Sequence, residues 1–410
     1  MSRELNVYLY GKIIGVLSED ELLQLSFQYC DQNAKPLSVI LPVREERYPH
    51  AYAFAFFENL IPEGEAFKLL TLNRVSGNKI FTILDKFGGD CAGAVAFYKS
   101  TPVNNINETL QEISSAKIAH IIDKLPEDPL LTSLENPPRF SLAGAQSKFA
   151  IHKIDNQYYR SDNNYPTTHI IKITNKRFPD LLKNEFFCMR LAQSIQPDIP
   201  NVKFYQIENR PYLEIERYDR YKKNGIVNRI HQEDFCQALG LTSEKKYQFG
   251  GGPSLRDSCR VIEEFSNNSL TDINKLIEWT LFNFFIGNVD AHAKNISLLY
   301  TDSGIKLAPF YDLLSIELYS RKVVDHSIAM LINGKGKYEA VSKNDFIALF
   351  EQLGVNATNT MRLVKDKFAN IIKTAEILRD ELNSDELTKC DVYDLIIDII
   401  RKRMKSLGEI

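Results

Sequence analysis

Gly287-Asn288-Val289-Asp290-Ala291-His292-Ala293-Lys294-Asn295 is a run of polar, reactive side chains placed directly behind an apolar segment. That segment carries Trp279, Leu281, Phe282, Phe284 and Phe285. It is apolar on nearly every face, which predicts a buried helix. A loop bearing Asp, His, Lys and Asn on such a support is chemistry held on a rigid base. Further on, Leu307-Ala308-Pro309-Phe310-Tyr311-Asp312 puts another carboxylate at the end of a stretch that reads as an apolar strand.

Asp290 and Asn295 stand five positions apart. The catalytic loop of protein kinases, H-R-D-x-x-x-x-N, has the same interval; its Asp accepts the proton of the attacked hydroxyl and its Asn holds a metal ion. Asp312 then follows in the place of the magnesium-binding Asp, with Asp312-Leu313-Leu314 where D-F-G is usual. The residue types suit phosphoryl transfer, which needs a carboxylate to orient a hydroxyl and hard oxygen ligands for magnesium. One spacing alone recurs by chance in a chain of this length, and the ordered set carries the reading.

Upstream, Phe140-Ser141-Leu142-Ala143-Gly144-Ala145-Gln146-Ser147-Lys148 is a small-residue loop ahead of a strand. Small side chains let backbone N–H groups reach phosphate oxygens, so Ala143, Gly144, Ala145 and Lys148 are expected around a nucleotide. With a single glycine the loop matches neither G-x-G-x-x-G nor a Walker loop. Lys172 lies in the strand His169–Ile173 and Glu185 on the helix that follows. That is the order of the pair that grips the α/β-phosphates in protein kinases. The stretch from Glu214 to Arg220 falls between two halves, where a hinge would offer backbone groups to adenine and Tyr218 would pack near it.

The 410 residues exceed one ordinary core, which predicts two or three packed units. A 44% hydrophobic and 25% charged composition is that of a folding chain. The formal net charge of -3 gives no basic excess toward nucleic acid as a direct partner. Cys30, Cys91, Cys188, Cys236, Cys259 and Cys390 form no C-x-x-C pair, which suits reduced thiols better than a disulfide framework. The histidines are equally scattered and form no zinc pattern. Met1 to Leu5 carries no signal-peptide pattern, and Lys, Asp or Asn breaks each long apolar stretch. A soluble cytoplasmic protein without membrane contact is expected.

Alternation from Leu5 to Val16 predicts a hairpin turning at Gly11, and Tyr52 to Ile61 reads as a buried helix. Residues 99 to 137 read as a polar, helical connecting segment. Strands are expected at Lys148–Lys153, Gln157–Arg160 and His169–Ile173, a helix at Leu181–Ile195, and two strands between 202 and 217. After Arg220 the pattern is mainly helical, apart from a strand-loop interlude near 296 to 334. The class is therefore α+β, bilobal and protein-kinase-like, with a strand-containing N-terminal lobe and a mainly helical C-terminal lobe. The expected pieces are 1–100, then 101–220 (connecting segment and nucleotide-binding lobe), then 221–410 with the catalytic loop.

These stretches occur together in one order: S-L-A-G-A-Q-S-K (141–148), T-H-I-I-K (168–172), N-E-F-F-C (184–188), E-R-Y-D-R (216–220), Q-E-D-F-C-Q (232–237), G-G-P-S (251–254), D-A-H-A-K-N (290–295) and P-F-Y-D-L-L-S (309–315). The set resembles the HipA-type serine/threonine kinases, toxin halves of bacterial toxin–antitoxin pairs. The first hundred residues resemble the HipA N-terminal domain through V-Y-L-Y-G-K-I-I-G (7–15), F-F-E-N-L-I-P-E-G (56–64) and G-G-D-C-A-G-A-V (88–95).

The resemblance implies ATP and magnesium as cofactors. It implies Asp290 as catalytic base, with Lys294 neutralising the moving phosphate and His292 in the same loop beside the nucleotide. It implies Asn295 and Asp312 as magnesium ligands, Lys172 on the ATP phosphates, and Glu216 and Tyr218 at adenine. Ser141 matches the loop serine that HipA kinases autophosphorylate. A phosphate there adds about two negative charges to a loop that should itself cradle phosphate, which would eject the loop and silence the enzyme. Ser147 stands where some relatives carry an acidic residue, which leaves a second phosphosite open. The implied partner is a HipB-type helix-turn-helix antitoxin that makes most of the DNA contact. The implied substrate is an aminoacyl-tRNA synthetase or another translation protein, whose phosphorylation would arrest growth.

Two other readings stay open. One is a kinase-like binding module without catalysis, a corepressor bound to its antitoxin; the intact Lys172, Asp290, Asn295 and Asp312 speak against it. The other is a small-molecule kinase, since related folds phosphorylate such substrates. The N-terminal piece, with no evident role in small-substrate capture, speaks against that one.

Overall fold

Leu5, Val7 and Leu9 alternate inward along the first strand, and this alternation starts an apolar core of the first unit in a computed structural model. The structure describes residues 3–72, 78–100, 110–134, 138–144, 146–161, 165–175 and 177–408. The chain forms two units, one of Met1–Asn175, Tyr205–Ser243 and Ser297–Asp302, the other of Lys176–Phe204, Glu244–Ile296 and Ser303–Ile410.

In the first unit, β1 (Arg3–Leu9), β2 (Lys12–Glu19), β3 (Leu25–Tyr29) and β4 (Val95–Tyr98) form an antiparallel sheet in the order β3-β2-β1-β4. The β1–β2 hairpin turns at Tyr10-Gly11, both at positive φ, a turn whose twist matches that of the strands. Helices His50–Glu58 and Lys79–Phe87 bring Phe56, Phe57, Phe81 and Leu84 into the core. Asn78 caps the second helix, its side chain accepting from the Ile80 and Phe81 N–H groups.

The second sheet holds β5 (Leu110–Glu112), β6 (Lys148–Ile154), β7 (Gln157–Ser161), β8 (His169–Ile173), β9 (Val202–Ile207) and β10 (Arg210–Glu216). Their order is β5-β7-β6-β8-β10-β9. Helix Ser115–Lys124, capped by Ser114, adds Ile118, Ile121 and Ile122 to the same apolar cluster, which runs from Leu5 to Tyr212. Strand β5 falls in the segment read as helical and connecting. The strands β11 (Arg220–Lys223), β12 (Ile226–Arg229) and β13 (His231–Asp234) also correct the reading: helix resumes at Phe235, not at Arg220. The β11–β12 ribbon turns at Asn224-Gly225, both at positive φ. Strand β13 pairs with β14 (Ser297–Thr301).

The second unit is mainly helical. Its helices are Leu181–Gln193, Leu255–Phe265, Ser269–Ile286, Lys343–Gln352, Ala357–Phe368, Ile371–Asn383 and Val392–Ser406. Capping boxes at Ser254/Asp257 and Ser342/Asp345 start two of them. Phe284 packs edge-on against Phe346 and Tyr338, and Phe285 meets Phe368 at 5.0 Å, so the aromatic helix is buried as its pattern required. The α+β class and the helical C-terminal region stand as read. Among the described residues no helix is long and apolar enough to cross a membrane.

Candidate active site

Helix Ser269–Ile286 ends at Gly287, which is left-handed at φ 71°. A Cβ there would meet Glu317 Cβ at 2.9 Å and Ile399 Cγ2 at 3.1 Å, so backbone and space both require glycine. The Gly287 carbonyl accepts the N–H groups of Ile316 (3.1 Å) and Glu317 (3.0 Å). Asn288 is buried next to it. Its Nδ2 donates to Asn283 Oδ1 at 2.8 Å and its Oδ1 accepts the Asp290 N–H at 3.2 Å. The Tyr338 hydroxyl holds the Asn288 carbonyl at 2.8 Å. The chain is thus pinned on both sides just before Asp290.

Asp290 is half-buried, and its Oδ1 accepts the Tyr247 hydroxyl at 2.7 Å. Its carbonyl accepts the His292 N–H at 2.9 Å and the Asn295 side-chain amide at 3.2 Å. The second bond points Nδ2 of Asn295 at Asp290 and leaves Oδ1 as the acceptor end of that side chain. Ala293–Asn295 forms one 3₁₀ turn, and His292, Lys294 and Asn295 are all buried. Tyr247 and His292 meet edge to face at 5.3 Å.

The Tyr311 hydroxyl donates to the Lys294 carbonyl at 2.7 Å, which joins this loop to the segment carrying Asp312. Asp312 is half-buried with φ 56°, an uncommon backbone state outside glycine. Asn184 holds the chain just beyond it: Nδ2 donates to the Ser315 carbonyl and Oδ1 accepts the Ser315 N–H, both at 2.8 Å. The structure therefore brings Asp290, His292, Lys294, Asn295 and the Asp312 segment together. Among the described residues no group of three or more His, Cys, Asp or Glu could hold a metal.

The other residues expected at the nucleotide lie in the first unit. Lys172 is buried on β8, opposite Lys148 of β6 on one side and Leu213 of β10 on the other. The Lys148 ammonium donates to the Ala143 carbonyl at 2.8 Å. Gly144 has φ 105°, and a Cβ on it would meet that ammonium at 2.5 Å. Ala145 lies outside the described residues. Ser141 is fully buried: its hydroxyl donates to the Leu60 carbonyl at 2.9 Å and its N–H to the Asp90 carbonyl at 3.2 Å. Glu216 is exposed at the end of β10. Tyr218 donates to Gln232 Oε1, and burial pushes its phenol far above the usual range.

Three features escaped the sequence reading. Tyr247 precedes a glycine run and belongs to no motif. Asn184 was quoted as part of N-E-F-F-C without a role. Arg217, Asp219 and Arg220 fall in the stretch read as a hinge, and the burial of their charges was not foreseen.

The family model for the HipA N-terminal domain matches residues 5–98, and that for the HipA-like C-terminal domain matches residues 140–376. A Sinorhizobium fredii protein, Y4mE, which carries a provisional kinase name, is 37% identical over 97% of this chain and 95% of its own. The serine/threonine-protein kinase toxin HipA of Shewanella oneidensis is 28% identical over 97% of both chains. A solved structure of the Shewanella oneidensis HipA, HipB and operator DNA complex matches with a TM-score of 0.84 at 25% identity, covering 98% of this chain and 97% of that one. With both domain models matched in order and relatives aligned over nearly its whole length, the chain belongs to the HipA family.

Proposed function

We propose that this chain is an ATP- and magnesium-dependent serine/threonine protein kinase that acts in the cytoplasm as the toxin of a toxin–antitoxin pair. The observation that supports it most is the loop Asp290–Asn295. One half-buried carboxylate is held at Oδ1 by a tyrosine hydroxyl, and an asparagine amide is oriented by the carbonyl of that same Asp290. ATP supplies the phosphoryl group, and magnesium offsets its charge when bound.

Asp290 takes the proton of the substrate hydroxyl, with Oδ2 facing that proton while Tyr247 keeps Oδ1. Asn295 Oδ1 and the Asp312 carboxylate are hard oxygen donors of the kind magnesium takes, and these two residues would hold it. Lys294 sits in the same turn, where its charge favours a developing anion. His292 stands in that loop beside the nucleotide. Lys172, Lys148 and the small residues Ala143, Gly144 and Ala145 hold phosphate oxygens, and Glu216 and Tyr218 flank adenine.

Ser141 is the phosphate acceptor for self-inhibition. To receive phosphate it must leave the Leu60 and Asp90 carbonyls. A phosphoserine of about two negative charges could not return to a fully buried site facing carbonyl oxygens. The loop would stay out, and its phosphate cradle would be lost. The partner we propose is a HipB-type antitoxin, a reading supported by the Shewanella complex of HipA, HipB and operator DNA, and most of the DNA contact is proposed to be the antitoxin's. The proposed substrate is an aminoacyl-tRNA synthetase.

The test is incubation with labelled ATP and magnesium, with phosphate mapped by mass spectrometry and Asp290→Asn as control. Label on Ser141 that disappears in the control is the expected result. Folded, unphosphorylated protein that takes no label overturns the kinase reading and favours a binding module.

A further inference from the structure

Asp90 belongs to the segment that resembles the HipA N-terminal domain, yet its bonds run to the parts proposed to hold ATP. It is buried, and its carboxylate is saturated with donors. Oδ2 accepts the Thr167 N–H (3.0 Å), the Thr167 hydroxyl (2.5 Å) and Arg217 Nη1 (3.2 Å). Oδ1 accepts Arg220 Nη2 (2.8 Å) together with Arg229 Nε (3.3 Å) and Nη2 (3.2 Å). Asp219 completes the cluster by chelating Arg217 through Nε (3.0 Å) and Nη2 (2.8 Å) and by accepting the Gly93 N–H at 2.7 Å. Burial alone would raise the Asp90 carboxyl, but Arg220, Arg217 and Arg229 with Thr167 hold it well below the usual carboxylate range.

The main chain of the same residue faces the loop. Asp90 forms a parallel bridge with Phe140, and its carbonyl accepts the Ser141 N–H at 3.2 Å. Thr167 leads into the Lys172 strand, and Arg217 and Arg220 bracket Tyr218. One side chain therefore fixes three things at once: the start of β8, the 217–220 turn, and the carbonyl on which the Ser141 loop rests.

We propose that Asp90 is a positioning residue for nucleotide binding, which seats the Ser141 loop and forms the 217–220 hinge from behind. The inference rests on the kinase reading above. Its sequence trace is the pairing of G-G-D (88–90) with E-R-Y-D-R (216–220) across more than a hundred residues. Asp90 touches neither phosphate nor adenine. Its loss should act on ATP affinity and on loop release, and not on the chemical step.

Asp90→Asn alone removes the carboxylate that Arg217, Arg220 and Arg229 share, a buried charge imbalance that could prevent folding. The double variant Asp90→Asn/Arg229→Met restores the native net charge of the cluster. Thr167→Val removes only the hydroxyl shared by Asp90 and Arg217. Titration calorimetry with ATP and magnesium, steady-state kinetics and hydrogen exchange at the Ser141 amide would be compared with the native chain. For the double variant we expect ATP affinity to fall about tenfold, since charge-assisted bonds are lost, with kcat at saturating ATP within about threefold. The Ser141 amide should exchange faster, and Thr167→Val should shift both readouts the same way by less. Unchanged ATP affinity and unchanged Ser141 protection in both variants would overturn the proposal. A native chain that binds no ATP would fail the kinase reading instead, and the Ser141 amide would still decide whether Asp90 seats the loop.

Discussion

The Tyr247 hydroxyl donates to Asp290 Oδ1 at 2.7 Å, and its ring meets His292 edge to face. Tyr247 is held in turn by its own strand of contacts: the Lys246 carbonyl accepts the Ala293 N–H at 3.3 Å, and the Gln248 N–H reaches the Ala329 carbonyl at 2.9 Å. The segment before the glycine run thus forms one wall of the Asp290 loop.

Replacing Tyr247 by phenylalanine keeps this wall and deletes one hydrogen bond to a carboxylate. Such bonds contribute about 1.5–3 kcal/mol, so turnover should fall roughly ten- to a hundredfold. ATP affinity should change little, because the phenylalanine ring keeps the edge-to-face contact with His292 and only the bond to Asp290, the proposed base, is lost. Steady-state kinetics with a protein or peptide acceptor would check this, and a lower ATP affinity with intact turnover would contradict it.

Asp312→Asn separates charge from backbone. Asparagine tolerates the left-handed conformation at φ 56° as well as aspartate does, so the melting temperature should hardly move. If Asp312 is a magnesium ligand as proposed, removing its charge should cost about 10²–10³ in rate and raise the magnesium concentration needed for half-maximal activity. An Asp312→Asn variant with native rate at low magnesium would rule out the proposed role of Asp312 as a magnesium ligand.

The parts of this fold legible in the sequence are those with local signatures. Trp279 to Phe285 could only be a buried helix, and His169–Ile173 could only be a short strand before one. The Asp290-to-Asn295 interval could be read because it lies within one short loop, where the Asn295 side-chain amide bonds the Asp290 carbonyl. The three-residue strand β5 has too little pattern to show, since only its pairing with β7 defines it. The β11–β12 ribbon was there to be read in Asn224-Gly225, a strong hairpin signal that the surrounding lysines disguised as surface chain. Asp90 with Arg217 and Arg220 could not be read, because charges 127 and 130 positions apart meet only once the sheet is built.

Gly287→Ala should be among the most destabilising single-methyl changes in the second unit. The left-handed backbone costs about 1–2 kcal/mol for a residue with a Cβ. The new methyl would also press on Glu317 Cβ and Ile399 Cγ2. Glu317 cannot retreat freely, because it pairs with the buried Arg403. Chemical denaturation should show a loss of roughly 2–4 kcal/mol, and a loss below 1 kcal/mol would mean that the helix end rearranges at little cost.

Two buried groups on β13 give the first unit opposing responses to pH. Burial pushes the Glu233 carboxyl up to about 7, against hydrogen bonds from Ser38 Oγ (2.5 Å), the Val39 N–H (3.0 Å) and the Tyr300 hydroxyl. The folded chain then keeps a proton that the unfolded chain gives up above the ordinary value of 4.5, so stability falls as pH rises from 4.5 through 7. Burial pushes the His231 imidazole down to about 4 from 6.5, although the Leu37 carbonyl opposes the shift. Here the unfolded chain binds the extra proton, so stability rises with pH across that window. The two trends offset each other between 4.5 and 6.5 in the native chain. Glu233→Gln removes the first and exposes the second. Relative to the native chain, the variant should gain stability as pH climbs from 4.5 to 7, by up to about 1.4 kcal/mol per pH unit. Urea unfolding of both proteins across this range measures the difference directly. Parallel curves would mean that Glu233 is ionised in the fold throughout, with its three donors outweighing the cost of burial.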